Sequence, residues 1–134
     1  MNAFDTNIWL YRHDRRDPDK KEKAKRLIDK ARPLVLLWQV GCEFIAASRK
    51  LEPQGFGQTE AWDALADMQT IAAGIILPEP QIWPEARALQ ARHSLSFWDA
   101  LIIAASIRGG VTALYTEDIG APRMLNGLSL INPF

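Results

Sequence analysis

Pro33-Leu34-Val35-Leu36-Leu37-Trp38 is a continuous apolar run, and Gln39-Val40-Gly41-Cys42-Glu43-Phe44 follows it without a break. A strand with one wet face alternates apolar and polar residues. A run that is apolar throughout is covered on both faces, as in a parallel sheet between helices. The residues after it read as a helix from about Gln39 to Lys50, with Val40, Phe44 and Ile45 apolar and the acid Glu43 among them. A buried strand thus hands over to a helix, and an acid sits just past the junction.

The same junction recurs in both directions. Upstream, a short strand from about Asn2 to Asp5 leads into a helix through about Tyr11, with Thr6 or Asn7 as cap. A second helix starts at Asp17 as N-cap with Pro18 in the first helical position. Ala24, Leu27, Ile28 and Ala31 give it an apolar stripe, and Pro33 stops it. Downstream, residues 53–57 read as a loop, and Thr59 caps a helix through about Ala73. Ile75-Ile76-Leu77 is a short strand closed by Pro78 and Pro80. Helices follow at about 83–93 and 97–108, the second ended by Gly109-Gly110. Strands close the chain at 111–116 and 128–131. Strands alternating with helices predict one α/β domain over 1–134, with a central, mostly parallel sheet of about five strands flanked by helices and joined by right-handed crossovers.

Bulk properties exclude several classes. The chain has 134 residues, 48% hydrophobic and 24% charged, as in a soluble globular domain with a real core. Formal net charge is zero, so attraction to a polyanion must be local. One cysteine, Cys42, excludes an internal disulfide and a cysteine metal cage. The opening Met1-Asn2-Ala3-Phe4-Asp5 has neither the basic nor the apolar region of a signal peptide, and no apolar run is long enough to span a bilayer. The expectation is a cytoplasmic protein with no membrane contact.

Four acids fall at strand-to-helix handovers: Asp5, Glu43, Asp99 and Asp118. Open α/β sheets gather functional groups at the carboxyl ends of their strands. Carboxylates gathered there repel one another unless a hard divalent cation, Mg²⁺ or Mn²⁺, is shared among them. Such a site activates water against a phosphodiester, so the residues point to a metal-dependent nuclease. Each acid also has a plainer explanation. Asp5 can serve a helix N-terminus. Ser96 and Asp99 form an S-x-x-D capping box before Ala100 to Ile107. Glu43 can face solvent, and Glu117-Asp118 can belong to a turn.

Beyond these residues, the chain resembles a PIN-domain ribonuclease, specifically the VapC-type toxin of a toxin–antitoxin pair. Phe4-Asp5-Thr6-Asn7-Ile8-Trp9-Leu10 resembles the family's opening D-T-N motif. Gln39 to Phe44 resembles the helix bringing the second acid, and Leu95-Ser96-Phe97-Trp98-Asp99-Ala100-Leu101-Ile102 the segment with the third. Tyr115-Thr116-Glu117-Asp118 resembles the T/S-x-D end of the fourth strand, and Leu128 to Phe134 a closing strand. The resemblance implies a PIN-like three-layer fold and Asp5, Glu43, Asp99 and Asp118 as catalytic, metal-holding residues. It also implies RNA as substrate, a cognate antitoxin as partner and a homodimer. Hydrolysis by metal-activated water then leaves a 5′-phosphate and a 3′-hydroxyl. Many relatives have Asn in place of Glu117 and a second Asp soon after Asp118, whereas Ile119-Gly120-Ala121-Pro122 follows here. Whether Glu117 helps hold metal or faces water stays open at this stage.

Thr6, Asn7, Thr116 and Glu117 are candidates for supporting roles by hydrogen bonding. Arg12, Arg15 and Arg16 follow the first acid's helix and are candidates for meeting RNA phosphates. The lysines of the second helix interleave with Asp19, Glu22 and Asp29 and read as a solvated face. The five tryptophans read as mostly core, His13 and His93 as surface residues. Rival readings are a structure-specific DNA nuclease on the same fold, a non-catalytic PIN-like scaffold and a phospho-acceptor receiver module. The last wants paired acids after the first strand and a lysine after the last, and neither is present.

Overall fold

The structure, a computed structural model, describes residues 1–120 and 123–134; Ala121 and Pro122, quoted above, lie outside them. Strand β1 is Asn2–Phe4, followed by helix α1 at Thr6–Tyr11 and α2 at Pro18–Lys30. The apolar run forms β2, Leu36–Leu37, and passes directly into α3, Trp38–Ala47, then a 3-10 helix at Ser48–Gln54. Next come α4 at Gln58–Ile71, β3 at Ile75–Ile76, α5 at Ile82–Arg92 and α6 at Phe97–Arg108. Strands β4 (Ala113–Tyr115), β5 (Met124–Leu125) and β6 (Leu128–Ile131) complete it.

Four strands make a sheet in the order β1-β4-β6-β5. β4 runs parallel to both β1 and β6, with Phe4 opposite Tyr115 and Tyr115 opposite Ile131. The parallel pair β2–β3 joins β1 through a bridge between Asn2 and Leu34, where Val35 N–H donates to Asn2 O at 2.9 Å. The sheet is therefore mostly parallel and flanked by helices, as the alternation predicted. Phe4, Ile8, Trp9, Phe44, Leu114 and Leu128 are fully buried at its heart.

Helix ends follow local chemistry. Asp17 caps α2 by accepting from Lys20 N–H at 3.1 Å, with Pro18 first in the helix. Ser96 caps α6 through Asp99 N–H at 3.1 Å. At α4 the cap is Gly57 rather than Thr59: the Glu60 carboxylate accepts from Gly57 N–H at 3.0 Å, so the helix starts earlier than the threonine suggested. Gly109 ends α6 in close contact with β3: a Cβ there would stand 2.3 Å from Ile76 Cδ1 and force that side chain to shift.

Two features depart from expectation. Among the described residues there are six short strands, four in the main sheet and two in the pair β2–β3, where about five in one sheet were expected. The sixth is β5, which turns back on β6 through Asn126 and Gly127, both at positive φ. Asn-Gly suits that two-residue hairpin turn because asparagine and glycine tolerate the left-handed region. The tryptophans are also mostly outside the core. Trp9 alone is buried, while Trp38, Trp62, Trp83 and Trp98 are each more than half exposed. Trp38, Trp83 and Trp98 lie in the first turns of α3, α5 and α6, ahead of the residues that fill each buried face.

Candidate active site

Asp5 is the N-cap of α1, just beyond β1, and Thr116 follows β4. Parallel pairing sets these strand ends side by side: Asp5 N–H donates to Tyr115 O at 2.9 Å. One Asp5 carboxylate oxygen accepts from Thr6 N–H at 2.7 Å, the other from Thr116 Oγ1 at 2.8 Å. Burial pushes the Asp5 pKa up. The bonds from Thr116 and Thr6 oppose that rise, and the nearby charges of Glu43 and Asp99 add to it.

Glu43 reaches the same place from α3. Its two oxygens accept from Thr6 Oγ1 at 2.7 Å and from Gln39 Nε2 at 3.0 Å. Gln39, one turn earlier on the same face, also donates to Trp98 O at 3.2 Å and so ties α3 to the start of α6. There Asp99 stands in the first turn. Its pKa is also raised, first by burial, with Ser96 pulling the other way and Glu43 and Asp118 pushing further. Asn7 Nδ2 donates to Asp118 Oδ2, linking α1 to the segment after β4.

The fold thus brings Asp5, Glu43 and Asp99 within electrostatic reach of one another and Asp118 within reach of Asp99, with Thr6, Asn7 and Thr116 bonded to their carboxylates. Among the described residues, none of the four acids forms an ion pair with lysine or arginine. Also among the described residues, no three acid, histidine or cysteine side chains stand grouped at metal-holding distance. In chemistry the donor set fits a hard divalent cation: all oxygen, anionic, and uncompensated by any basic side chain. Asp99's cap bond with Ser96 uses its backbone N–H, so capping and a carboxylate role are compatible at this residue.

Glu117 lies next to Asp118 but is engaged elsewhere. Tyr11 Oη donates to one of its oxygens and Lys20 Nζ sits 2.5 Å from the other. Lys20 Nζ also lies 4.7 Å from the centre of the Tyr11 ring and 5.2 Å from that of Phe134. Burial works against the Glu117 charge, but the bonds from Lys20 and Tyr11 outweigh it and lower its pKa. Neither alternative left open by the sequence, metal or open water, describes this contact.

The arginines stand apart from the acids. Arg16 is bonded to both carboxylate oxygens of Asp14, at 3.0 and 2.9 Å, and holds that pKa well below the usual range. Arg15 donates through its guanidinium to Gln54 O, and Arg12 lies beside it at the end of α1. His13 is half-buried rather than a surface residue, its ring stacked on Phe56 with centroids 4.6 Å apart. Sequence reading missed Gln39, Tyr11, Lys20 and Phe134. Only Gln39 carried a local signal, its four-residue spacing from Glu43.

The fold is shared with solved structures. VapC20 of Mycobacterium tuberculosis, described as a sarcin-ricin loop cleaving toxin, superimposes with a TM-score of 0.70 at 22% identity, over 88% of this chain and 90% of that one. A toxin–antitoxin complex from Klebsiella pneumoniae gives 0.71 at 20% identity, over 100% and 98%. No curated protein matches the sequence. The family model for the PIN domain matches residues 3–124, nearly the whole length, and the chain belongs to the PIN domain family.

Proposed function

We propose that this protein is a metal-dependent endoribonuclease and the toxin of a VapC-type toxin–antitoxin pair. The observation that carries the reading is that Asp5 after β1, Glu43 on α3, Asp99 on α6 and Asp118 after β4 lie within electrostatic reach of one another, pair by pair, with no basic partner among the described residues. A protein rarely gathers unpaired carboxylates in a half-buried place unless a cation belongs there. Asp5, Glu43, Asp99 and Asp118 would hold Mg²⁺ or Mn²⁺, which supplies an activated water and neutralises charge at the phosphate when bound. The chain's own residues prepare the place. Thr116 and Thr6 favour the ionised form of Asp5 against its burial. Thr6 and Gln39 fix both oxygens of Glu43, and Asn7 orients Asp118.

A protein partner is supported by the exposed apolar face. Trp38, Ile75, Leu77 and Trp83 lie in the open around β3 and the start of α3 and α5, and apolar residues exposed together are what a partner can cover. An antitoxin and a second copy of the chain are the partners proposed, in a cytoplasmic setting. No helix of the described chain is long and apolar enough to cross a membrane. The test is a purified chain incubated with single-stranded RNA and with duplex DNA, with and without Mn²⁺. Mn²⁺-dependent RNA cleavage is expected. Cleavage of DNA alone moves the reading to a DNA nuclease, and no cleavage of either by folded protein removes catalysis.

A further inference from the structure

At the far end of α1 from Asp5, the helix terminus, α2 and the end of the 3-10 helix enclose an open cavity of about 370 Å³. Four cations line it: Arg12, Arg15, Lys21 and Lys25. No carboxylate lines it. Among the described residues none of the four forms an ion pair, although other basic residues of the same region do, Arg16 with Asp14, Lys20 with Glu117 and Arg26 with Glu22. Asp14, the nearest acid in sequence, is already held by Arg16 and by Gln54 Nε2 at 2.7 Å. In a chain with no net charge, four unpaired cations around one concavity form a local field for an anion.

The wall between these cations is aromatic. His13 and Phe56 line the cavity and stack on each other, both partly exposed. The field acts on His13 itself: burial lowers its pKa first, then Arg12 and Lys21, with Lys25 helping and Asp67 of α4 opposing, to about 4. Cations placed beside an exposed ring pair suit a nucleic-acid strand, whose phosphates meet the charges while a base meets the rings. An acidic peptide has no use for the rings.

We infer that the cavity bounded by Arg12, Arg15, Lys21 and Lys25 binds the sugar–phosphate backbone of RNA, as an anchor outside the cleavage site. The inference rests on the ribonuclease reading and adds to it a second point of attachment. Arg12 follows Asp5 by one short helix, roughly 10 Å along its axis, so one strand of a few nucleotides reaches both. Lys21 and Lys25 belong to the anchor, although the interleaved charges of α2 read as a merely solvated face. Arg16 does not, because Asp14 holds it.

The test compares two charge-matched double variants, Lys21→Gln with Lys25→Gln against Lys23→Gln with Lys30→Gln, the latter on exposed positions of α2 away from the cavity. A fluorescein-labelled single-stranded RNA is titrated in EDTA, so that binding is read without cleavage, over a range of salt concentrations. The cavity variant should bind about tenfold more weakly or worse. Its salt slope should fall by about 1.4, the share of two phosphates on a single strand. The control should change neither by more than about twofold. Equal losses in both variants, or an unchanged slope in the cavity variant, overturn the anchor. So does poly-glutamate binding that only the cavity variant loses while RNA binding persists, which assigns the place to an acidic peptide. Cleavage with Mn²⁺ is scored separately. Tight RNA binding without cleavage sinks the ribonuclease reading and leaves the anchor standing, and cleavage with indistinguishable variants does the reverse.

Discussion

Glu117 and Asp118 are neighbours in the chain and opposites in circumstance. Glu117 is held by a lysine and a phenol, the lysine in turn lying over the rings of Tyr11 and Phe134, and its charge is matched. Asp118 is exposed, lies within electrostatic reach of Asp99 and, among the described residues, is met by the amide of Asn7. One residue's step along the backbone thus separates an acid with a matched charge from one that has no basic partner among the described residues. The contrast shows that cations are available to this segment, since Lys20 reaches it, and that the acid cleft is nonetheless left without one. Among the described residues, Asp5, Glu43, Asp99 and Asp118 all lack an ion-pair partner.

The largest expected effects fall on the cleft side of the contrast. Asp99→Asn keeps the side chain's size and its backbone cap bond but removes the charge. Cleavage of single-stranded RNA in Mn²⁺ should drop by at least ~100-fold, the order of losing a group that acts on the transition state. If Asp99 were only a cap, the change would be a stability loss of about 1 kcal/mol with cleavage kept. Near-normal cleavage by the folded variant removes Asp99 from the site. Metal linkage comes next. Mn²⁺ at a hundred times its dissociation constant should stabilise the fold by about 2.7 kcal/mol, read as a rise in Tm. The raised pKa values of Asp5 and Asp99 fix the sign of the metal-free background. A carboxylate whose folded pKa lies above its unfolded value costs stability once pH exceeds both, and that cost fades as pH falls into the window between them. The metal-induced gain should therefore shrink on acidification, because protonated acids give up the metal. A Tm indifferent to Mn²⁺ at neutral pH argues against the metal reading.

What the sequence made legible divides along the same line. Asp5 and Glu43 follow strands that lead into helices, β1 into α1 and β2 into α3, as the sequence led one to expect; Asp99 instead follows helix α5 and a loop, and the strand before Asp118, β4, leads to β5 and not to a helix. Leu34 to Leu37 likewise announced a doubly covered strand, and Asp17-Pro18 a helix start. Legibility failed where the partner lies far away in the chain. The Tyr11–Lys20–Glu117–Phe134 contact joins four segments, and no spacing links them. Trp38, Trp83 and Trp98 read as core residues and are exposed, because hydrophobicity does not say which face a residue at a helix start occupies. The β5–β6 hairpin is a different failure, since Asn126-Gly127 carried the signal in plain view.

The Glu117 side of the contrast predicts a smaller effect of another kind. Glu117→Gln should lower Tm by a few degrees and reduce RNA cleavage only severalfold, since the lesion loosens the segment bearing Asp118 without touching the cleft. Lys20→Met should cost more than Glu117→Gln, because it leaves a partly buried carboxylate without its cation. The double variant should cost less than the sum of the two, the sign of a direct pair. Strict additivity in melting experiments breaks the pairing and with it the contrast to Asp118. A hundredfold cleavage loss in Glu117→Gln also breaks it, by moving Glu117 to the cleft.

The smallest effect concerns His13, a neutral group among cations where Asp5 is an acid among acids. Its pKa is lowered to about 4, first by burial, then by Arg12 and Lys21. A histidine whose folded pKa lies below its ordinary 6.5 binds fewer protons folded than unfolded. Its contribution to stability is therefore complete above about pH 6.5 and is lost progressively as pH falls from there toward about 4. Because the ring is partly exposed, solvent screening reduces the effect to the order of 1 kcal/mol. His13→Phe keeps the stack on Phe56 and removes the titration. Urea unfolding in EDTA at pH 7.5 and pH 5 should show the wild-type chain losing more stability on acidification than the variant. The raised carboxylates of the cleft act in the opposite direction and are common to both proteins, so they cancel in the comparison. Equal losses in the two proteins would mean that His13 is as freely protonated in the fold as in the unfolded chain, and that burial and the neighbouring cations leave its charge state untouched.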